Sequence, residues 1–184
     1  MPAELSLADA VRACTLCAEL AGSRTQVVVG SGPSDARLVI VGEAPGAVED
    51  ETGVPFVGRS GQLLDKLLLE AGTSRAAVAV INTVKCRPPG NRVPSRTETA
   101  NCRPWTTRQL DEMSPELVVT LGLSATTWFL GKTTLGAVRG RVHDVDGRRV
   151  LPTYHPAAAL RGGPLGEAMT RLREDLALAV RLVT

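Results

Sequence analysis

Four cysteines are the residues of this chain whose type and spacing point most directly to chemistry. Cys14 and Cys17 form a C-x2-C knuckle, which lets two sulfurs face one ion. Cys86 and Cys102 stand far along the chain, sixteen residues apart. The set suits tetrahedral zinc or a 4Fe-4S cluster, and spacing alone does not separate the two. Either would tie the amino-terminal region to the 86–102 segment, a structural role ahead of electron transfer. That segment is also basic. Between Lys85 and Arg108 it carries six basic residues, among them Lys85, Arg87 and Arg92, against Glu98 alone, a local excess of +5. Pro88, Pro89, Gly90 and Asn91 open it as a loop. It reads as a phosphate-gripping surface held rigid by the metal site.

Composition narrows the setting. At 184 residues, with 43% hydrophobic and 22% charged residues, the chain is one globular domain spanning 1–184 rather than a disordered segment. A net charge of +2 does not by itself announce a nucleic-acid partner. The five aromatics, Phe56, Trp105, Trp128, Phe129 and Tyr154, are too few for a row of base-stacking platforms along a single strand. No run approaches the ~20 apolar residues of a membrane span, so no membrane partner is expected. The first residues, with Glu4 and Asp9, lack the basic and apolar regions of a secretory signal. A cytoplasmic protein follows, in a compartment where four cysteines bind metal or do redox work more often than they form disulfides.

Elements must position these residues. Leu38–Gly42, 78–84, Leu117–Leu121 and 150–154 read as buried strands. Helices are predicted over 60–71, from the Ser95-Arg96-Thr97-Glu98 capping box towards Met113, over 124–130 and over 165–182. Pro104 should kink or divide the second of these. Alternation of this kind predicts an α/β fold, a mostly parallel four-stranded sheet covered on both faces. Ligands of such sheets sit beyond the carboxyl ends of the strands. Those ends fall at 42–46, 82–85, 122–124 and 154–156.

At three of those ends the residues carry a resemblance. The runs Gly42-Glu43-Ala44-Pro45-Gly46, Gly53-Val54-Pro55-Phe56-Val57-Gly58, Asn82-Thr83-Val84-Lys85-Cys86-Arg87-Pro88 and His155-Pro156 occur in order with the four cysteines. The set resembles the family 4, iron–sulfur, uracil-DNA glycosylases. The resemblance implies an αβα sandwich, a 4Fe-4S cluster on Cys14, Cys17, Cys86 and Cys102, and excision of uracil from single- or double-stranded DNA by a monomer acting at the nucleoid. It implies that Phe56 stacks on a flipped uracil and that the Asn82 amide reads its edge, donating to O4 and accepting from N3–H. Glu43 would orient or deprotonate the attacking water and stabilise the cationic sugar. His155 would donate to the developing anion at O2, while backbone N–H groups of the Gly42, Ala44 and Gly46 turn contact the base. His143, near Asp144 and Asp146, is expected in a surface turn.

One stretch departs from the family pattern. After His155-Pro156 the chain reads Ala157-Ala158-Ala159-Leu160-Arg161, where an aromatic residue is usual. Leu160 remains as the wedge into the duplex and Arg161 as a phosphate contact. Single-stranded or mispaired uracil should therefore be preferred. Rival readings are a relative with a shifted range of deaminated bases, which Glu43 disfavours, and a catalytically weak DNA-binding module. A nucleotide-binding fold lacks its glycine motif at the first strand.

Overall fold

β-Branched and leucine residues bounded by glycine or asparagine set the strands. The computed structural model describes residues 6–184. In it β1 (Leu38–Gly42), β2 (Ala79–Asn82) and β3 (Leu117–Leu121) are buried at every position. β1 pairs in parallel with β2 and β3, β3 pairs in parallel with β5 (Arg148–Thr153), and β4 (His143–Val145) adds an antiparallel edge. The sheet order is β2-β1-β3-β5-β4. The central strands are covered on both faces, which is why they show continuous apolar runs rather than alternation.

Successive residues of β1 feed the two faces. Leu38 and Ile40 pack with Leu64, Leu67 and Leu68 of α4 (Arg59–Glu70), Ala159 of α8 (Pro156–Gly162) and Leu172 and Leu176 of α9 (Glu167–Arg181). Val39 and Val41 face Leu110 of α5 (Arg96–Met113) and Phe129 of α6 (Gly122–Leu130). This is the expected αβα sandwich. A third apolar cluster gathers Val11 of α1 (Leu7–Arg12), Leu20 of α2 (Ala18–Ser23), Val27, Val84, Cys86 and Cys102 at one end of the sheet.

The sheet has five strands, where four were expected. The fifth arises because Asp146 and Gly147 both adopt positive φ, 49° and 77°, as a two-residue turn joining β4 to β5 requires. The Asp-Gly pair carried that signal in the sequence. His143 consequently lies in β4, half-buried, its Nε2 2.8 Å from the Val138 carbonyl in α7 (Leu135–Val138), not in an exposed turn. Pro104 neither ends nor divides α5, which runs through it. Anchors on either side carry the helix across: the Ser95–Glu98 capping box at its start, and buried Cys102, Thr106 and Leu110. A short helix, α8, precedes α9, with His155 as N-cap and Pro156 in its first turn.

Candidate functional site: a strand-end cleft beside a four-cysteine cavity

The carboxyl ends of β1, β2, β3 and β5 open on a cleft of about 1170 Å³. Glu43, Ala44 and Gly46 line it from the turn after β1, and Asn82 from the end of β2. Gly122 and Ser124 enter after β3, His155 and Ala157 after β5, and Phe56 from the loop before α4. The turn after β1 is fastened to the segment after β2: Thr83 N donates to Gly42 O, and Val84 N and Thr83 Oγ1 donate to Glu43 O at 2.9 and 2.8 Å. Residues about 40 positions apart in sequence are thereby brought together.

Gly42 is where the side chains of Asn82 and Phe56 meet. A Cβ there would lie 2.5 Å from Asn82 Oδ1 and 2.6 Å from the Phe56 ring. Only glycine leaves both in place. Asn82 is buried, and its Oδ1 has no hydrogen-bond partner. A buried acceptor without a donor costs about 1–3 kcal/mol, so it is poised for an incoming N–H. Its backbone carbonyl accepts from Lys85 Nζ at 2.6 Å and Thr106 Oγ1 at 3.3 Å, which fixes the strand end carrying it.

Across the cleft, the His155 ring centroid is 5.7 Å from that of Phe56, the planes tilted by 37°. Nδ1 of His155 accepts from the Ala157 amide at 3.0 Å. Burial, and then the nearby Arg161 charge, push its pKa down to about 4. The imidazole is neutral at pH 7, and with Nδ1 accepting, its proton sits on Nε2. A neutral N–H donor therefore shares the cleft with a stacking surface and a free acceptor. Gly122 turns at φ +85°, and a Cβ there would come within 3.1 Å of the His155 side chain.

The basic segment is not the uniform surface its charge suggested. Lys85 is not available to DNA: it is fully buried with its ammonium on the Asn82 carbonyl, and burial lowers its pKa to about 7. Arg92 borders the cleft but is held by Glu98, at 2.8 and 2.9 Å, and by Glu19 at 2.9 Å. Arg103 lies 4.0 Å over the Trp128 ring. Arg87 donates to Asn91 Oδ1 at 2.7 Å, and Arg96 is exposed. Arg161 stands at the cleft edge, and Leu160, 37% exposed, directly precedes it on α8. Sequence reasoning missed Arg59 and Thr127, which also line the cleft. Arg59 follows the glycine-rich Phe56 loop, the one signal that could have marked it.

Beside the cleft, Cys14, Cys17, Cys86 and Cys102 line one cavity with Val11, Leu20, Val27, Val84 and Trp105. None of the four is paired in a disulfide. Burial pushes the Cys102 thiol up to about 11 and raises that of Cys86. Among the described residues, no three His, Cys, Asp or Glu side chains group as ligands of a single metal ion. All four cysteines nonetheless line the same cavity. Donors already face three of them: Arg24 Nη1 to Cys86 at 3.0 Å, Lys85 N to Cys102 at 3.3 Å and Asn101 Nδ2 to Cys17 at 3.5 Å. The Trp105 indole N–H is buried without a partner. Sulfur ligands, N–H donors to them, an apolar shell and an orphaned donor fit an iron–sulfur cluster.

Residues 29–177 match the sequence profile of the Uracil DNA glycosylase superfamily. The chain is similar to the type-4 uracil-DNA glycosylase of Thermotoga maritima, 45% identical over 158 residues that cover 84% of this chain and 82% of the relative. Its counterpart in Saccharolobus solfataricus is 42% identical, covering 89% and 80%. A type-5 uracil-DNA glycosylase of Pyrobaculum aerophilum is 35% identical, covering 68% and 63%.

Proposed function

The chain belongs to the uracil-DNA glycosylase superfamily, and we propose that it flips deoxyuridine from DNA and hydrolyses the N-glycosidic bond. Free uracil and an abasic site are the products, the first step of base excision repair. The single observation that carries this reading is the buried, unpartnered Oδ1 of Asn82 against the Phe56 ring at the cleft floor.

A base inside a duplex cannot reach such a floor, so extrusion comes first, at a cost of a few kcal/mol. Phe56 then stacks on the flipped ring. Asn82 accepts from uracil N3–H and donates to O4, whereas cytosine offers the inverse pair. A wrong base would leave buried polar groups unpaired, the arrangement that discriminates most strongly.

Breaking the bond makes the sugar cationic and the departing base anionic. The neutral Nε2–H of His155 donates to uracil O2 as that charge grows, and backbone amides of the 42–46 turn contact the base. Glu43 orients the attacking water, takes its proton and offsets the sugar's charge. Arg161 and Arg87 hold phosphates, with Leu160 as the wedge. Cys14, Cys17, Cys86 and Cys102 would hold a 4Fe-4S cluster, whose chemistry here is to tie the amino-terminal helices to α5. The enzyme works as a monomer on cytoplasmic DNA.

The experiment is an oligonucleotide carrying one uracil, incubated with the protein and then treated with alkali. Strand scission at uracil but not at thymine or cytosine supports the reading. The Glu43→Gln variant should bind the same DNA while cutting orders of magnitude more slowly. Binding without scission by the unaltered protein would leave a DNA-binding module and refute the enzyme.

A further inference from the structure

Phe56 occupies a backbone conformation that its side chain disfavours. Its φ is +54°, in the left-handed region where a bulky residue is an outlier. Such a conformation persists only when its surroundings over-determine it. Here they do so from three sides. After Phe56, the amides of Val57 and Gly58 both donate to one oxygen of Glu49, at 2.9 and 2.8 Å. Before it, the Arg75 guanidinium donates to the Pro55 carbonyl and, at 3.4 Å, to the Phe56 carbonyl. Beneath it, α4 approaches so closely that a Cβ on Gly61 would lie 1.7 Å from the Phe56 oxygen.

Two successive amides converging on one anion is an arrangement that elsewhere binds phosphate or carboxylate ligands. In this chain the anion is built in, delivered by α3 (Ala47–Thr52). That helix is itself moored by the neighbouring Asp50, whose two carboxylate oxygens accept from the Thr25 amide at 3.1 and 3.0 Å. Glu49 also borders the cleft, so a direct role on the substrate is the competing explanation.

We propose that Glu49 is a positioning residue: its carboxylate, opposed by Arg75, locks Phe56 into the left-handed conformation that presents the ring as a preformed face for the flipped uracil. The inference rests on the reading of the cleft as a uracil site. Without the lock the loop relaxes, and the ring must be ordered each time a base enters.

The test combines Glu49→Ala and Glu49→Gln with Phe56→Ala, reading single-turnover excision and inhibition by free uracil. Glu49→Ala should weaken uracil inhibition about tenfold, a loss of the size that releasing one strained residue produces. Glu49→Gln keeps an oxygen acceptor for both amides and should stay within about threefold of the unaltered protein. In the Phe56→Ala background Glu49→Ala should add less than about twofold, because its only route to the base is gone. Arg75→Ala moves the same readouts in the same direction and serves if Glu49→Ala does not fold. An undiminished effect of Glu49→Ala without the Phe56 ring would overturn the proposal in favour of direct contact. A Gln variant as impaired as the Ala variant would also overturn it, since charge rather than geometry would then matter. Failure of the unaltered protein to excise uracil is a separate result that refutes the uracil site itself.

Discussion

The amide of Ala157 donates to Nδ1 of His155 at 3.0 Å, two residues away at the start of α8. That one bond decides which nitrogen of the ring carries the proton and so which can serve the cleft. Burial holds the pKa near 4. Single-turnover excision should therefore show no loss from His155 between pH 7 and about 5, and should fall only as pH nears 4. With two histidines in the chain, ring-nitrogen NMR can follow His155 directly. Stability moves with the same sign. The unfolded chain takes up this proton below about 6.5 and the native one only near 4, so the His155 contribution to stability is lost as pH falls through that window.

Lys85 and Arg161 should separate cleanly in their salt dependence. Each phosphate contact removed lowers the slope of log affinity against log salt by about 1. Arg161→Ala should show that loss. Lys85→Met should leave the slope unchanged but slow excision, since Lys85 Nζ supports the carbonyl of Asn82. Filter binding across a salt series, beside single-turnover rates, distinguishes the two.

Leu160 is the exposed apolar residue of α8, preceded there by three alanines, of which Ala159 is fully buried. One wedge without an aromatic neighbour gives limited help against stacking. Uracil in single strands or opposite guanine, where extrusion costs least, should be cut faster than uracil opposite adenine. Leu160→Ala should widen that gap. Equal rates on all three substrates would count against the wedge.

Loss of the sulfur-lined cavity should be visible before any assay. The purified protein should be brown and contain iron and acid-labile sulfide without zinc, its colour bleached by dithionite or acid. Cys102→Ala should abolish the colour and lower the melting temperature by about 10 °C, the effect of roughly 3 kcal/mol in a chain of this size. A colourless protein with stoichiometric zinc would overturn the cluster.

What the sequence made legible follows physical range. The four central strands were readable because complete burial leaves continuous apolar runs, and the rule that ligands bind at strand ends marked 82–85, while the choice of Asn82 as the edge reader came from the family resemblance. The capping box on α5 is a local signal, and it held. The β4–β5 turn was equally local, in Asp146-Gly147, and was overlooked beside the stronger parallel pattern. Lys85 misled because charge in a sequence reads as surface, while its burial depends on α5, carrying Thr106 and Cys102, packing against the end of β2. Arg75 left no pattern at all, and the acidic Glu49-Asp50 pair that ends the first motif did not disclose what it holds. Their partners are backbone groups in other segments, which no residue type or spacing announces.

The account stands most directly on Asn82. An oligonucleotide with a single uracil, cut under single-turnover conditions by the unaltered protein and by Asn82→Asp, measures whether that buried amide reads the base. The Asp variant should lose at least roughly a hundredfold in uracil release and gain weak release of cytosine, because the edge it presents to the base has changed. Uracil release by Asn82→Asp at the unaltered rate would contradict the account.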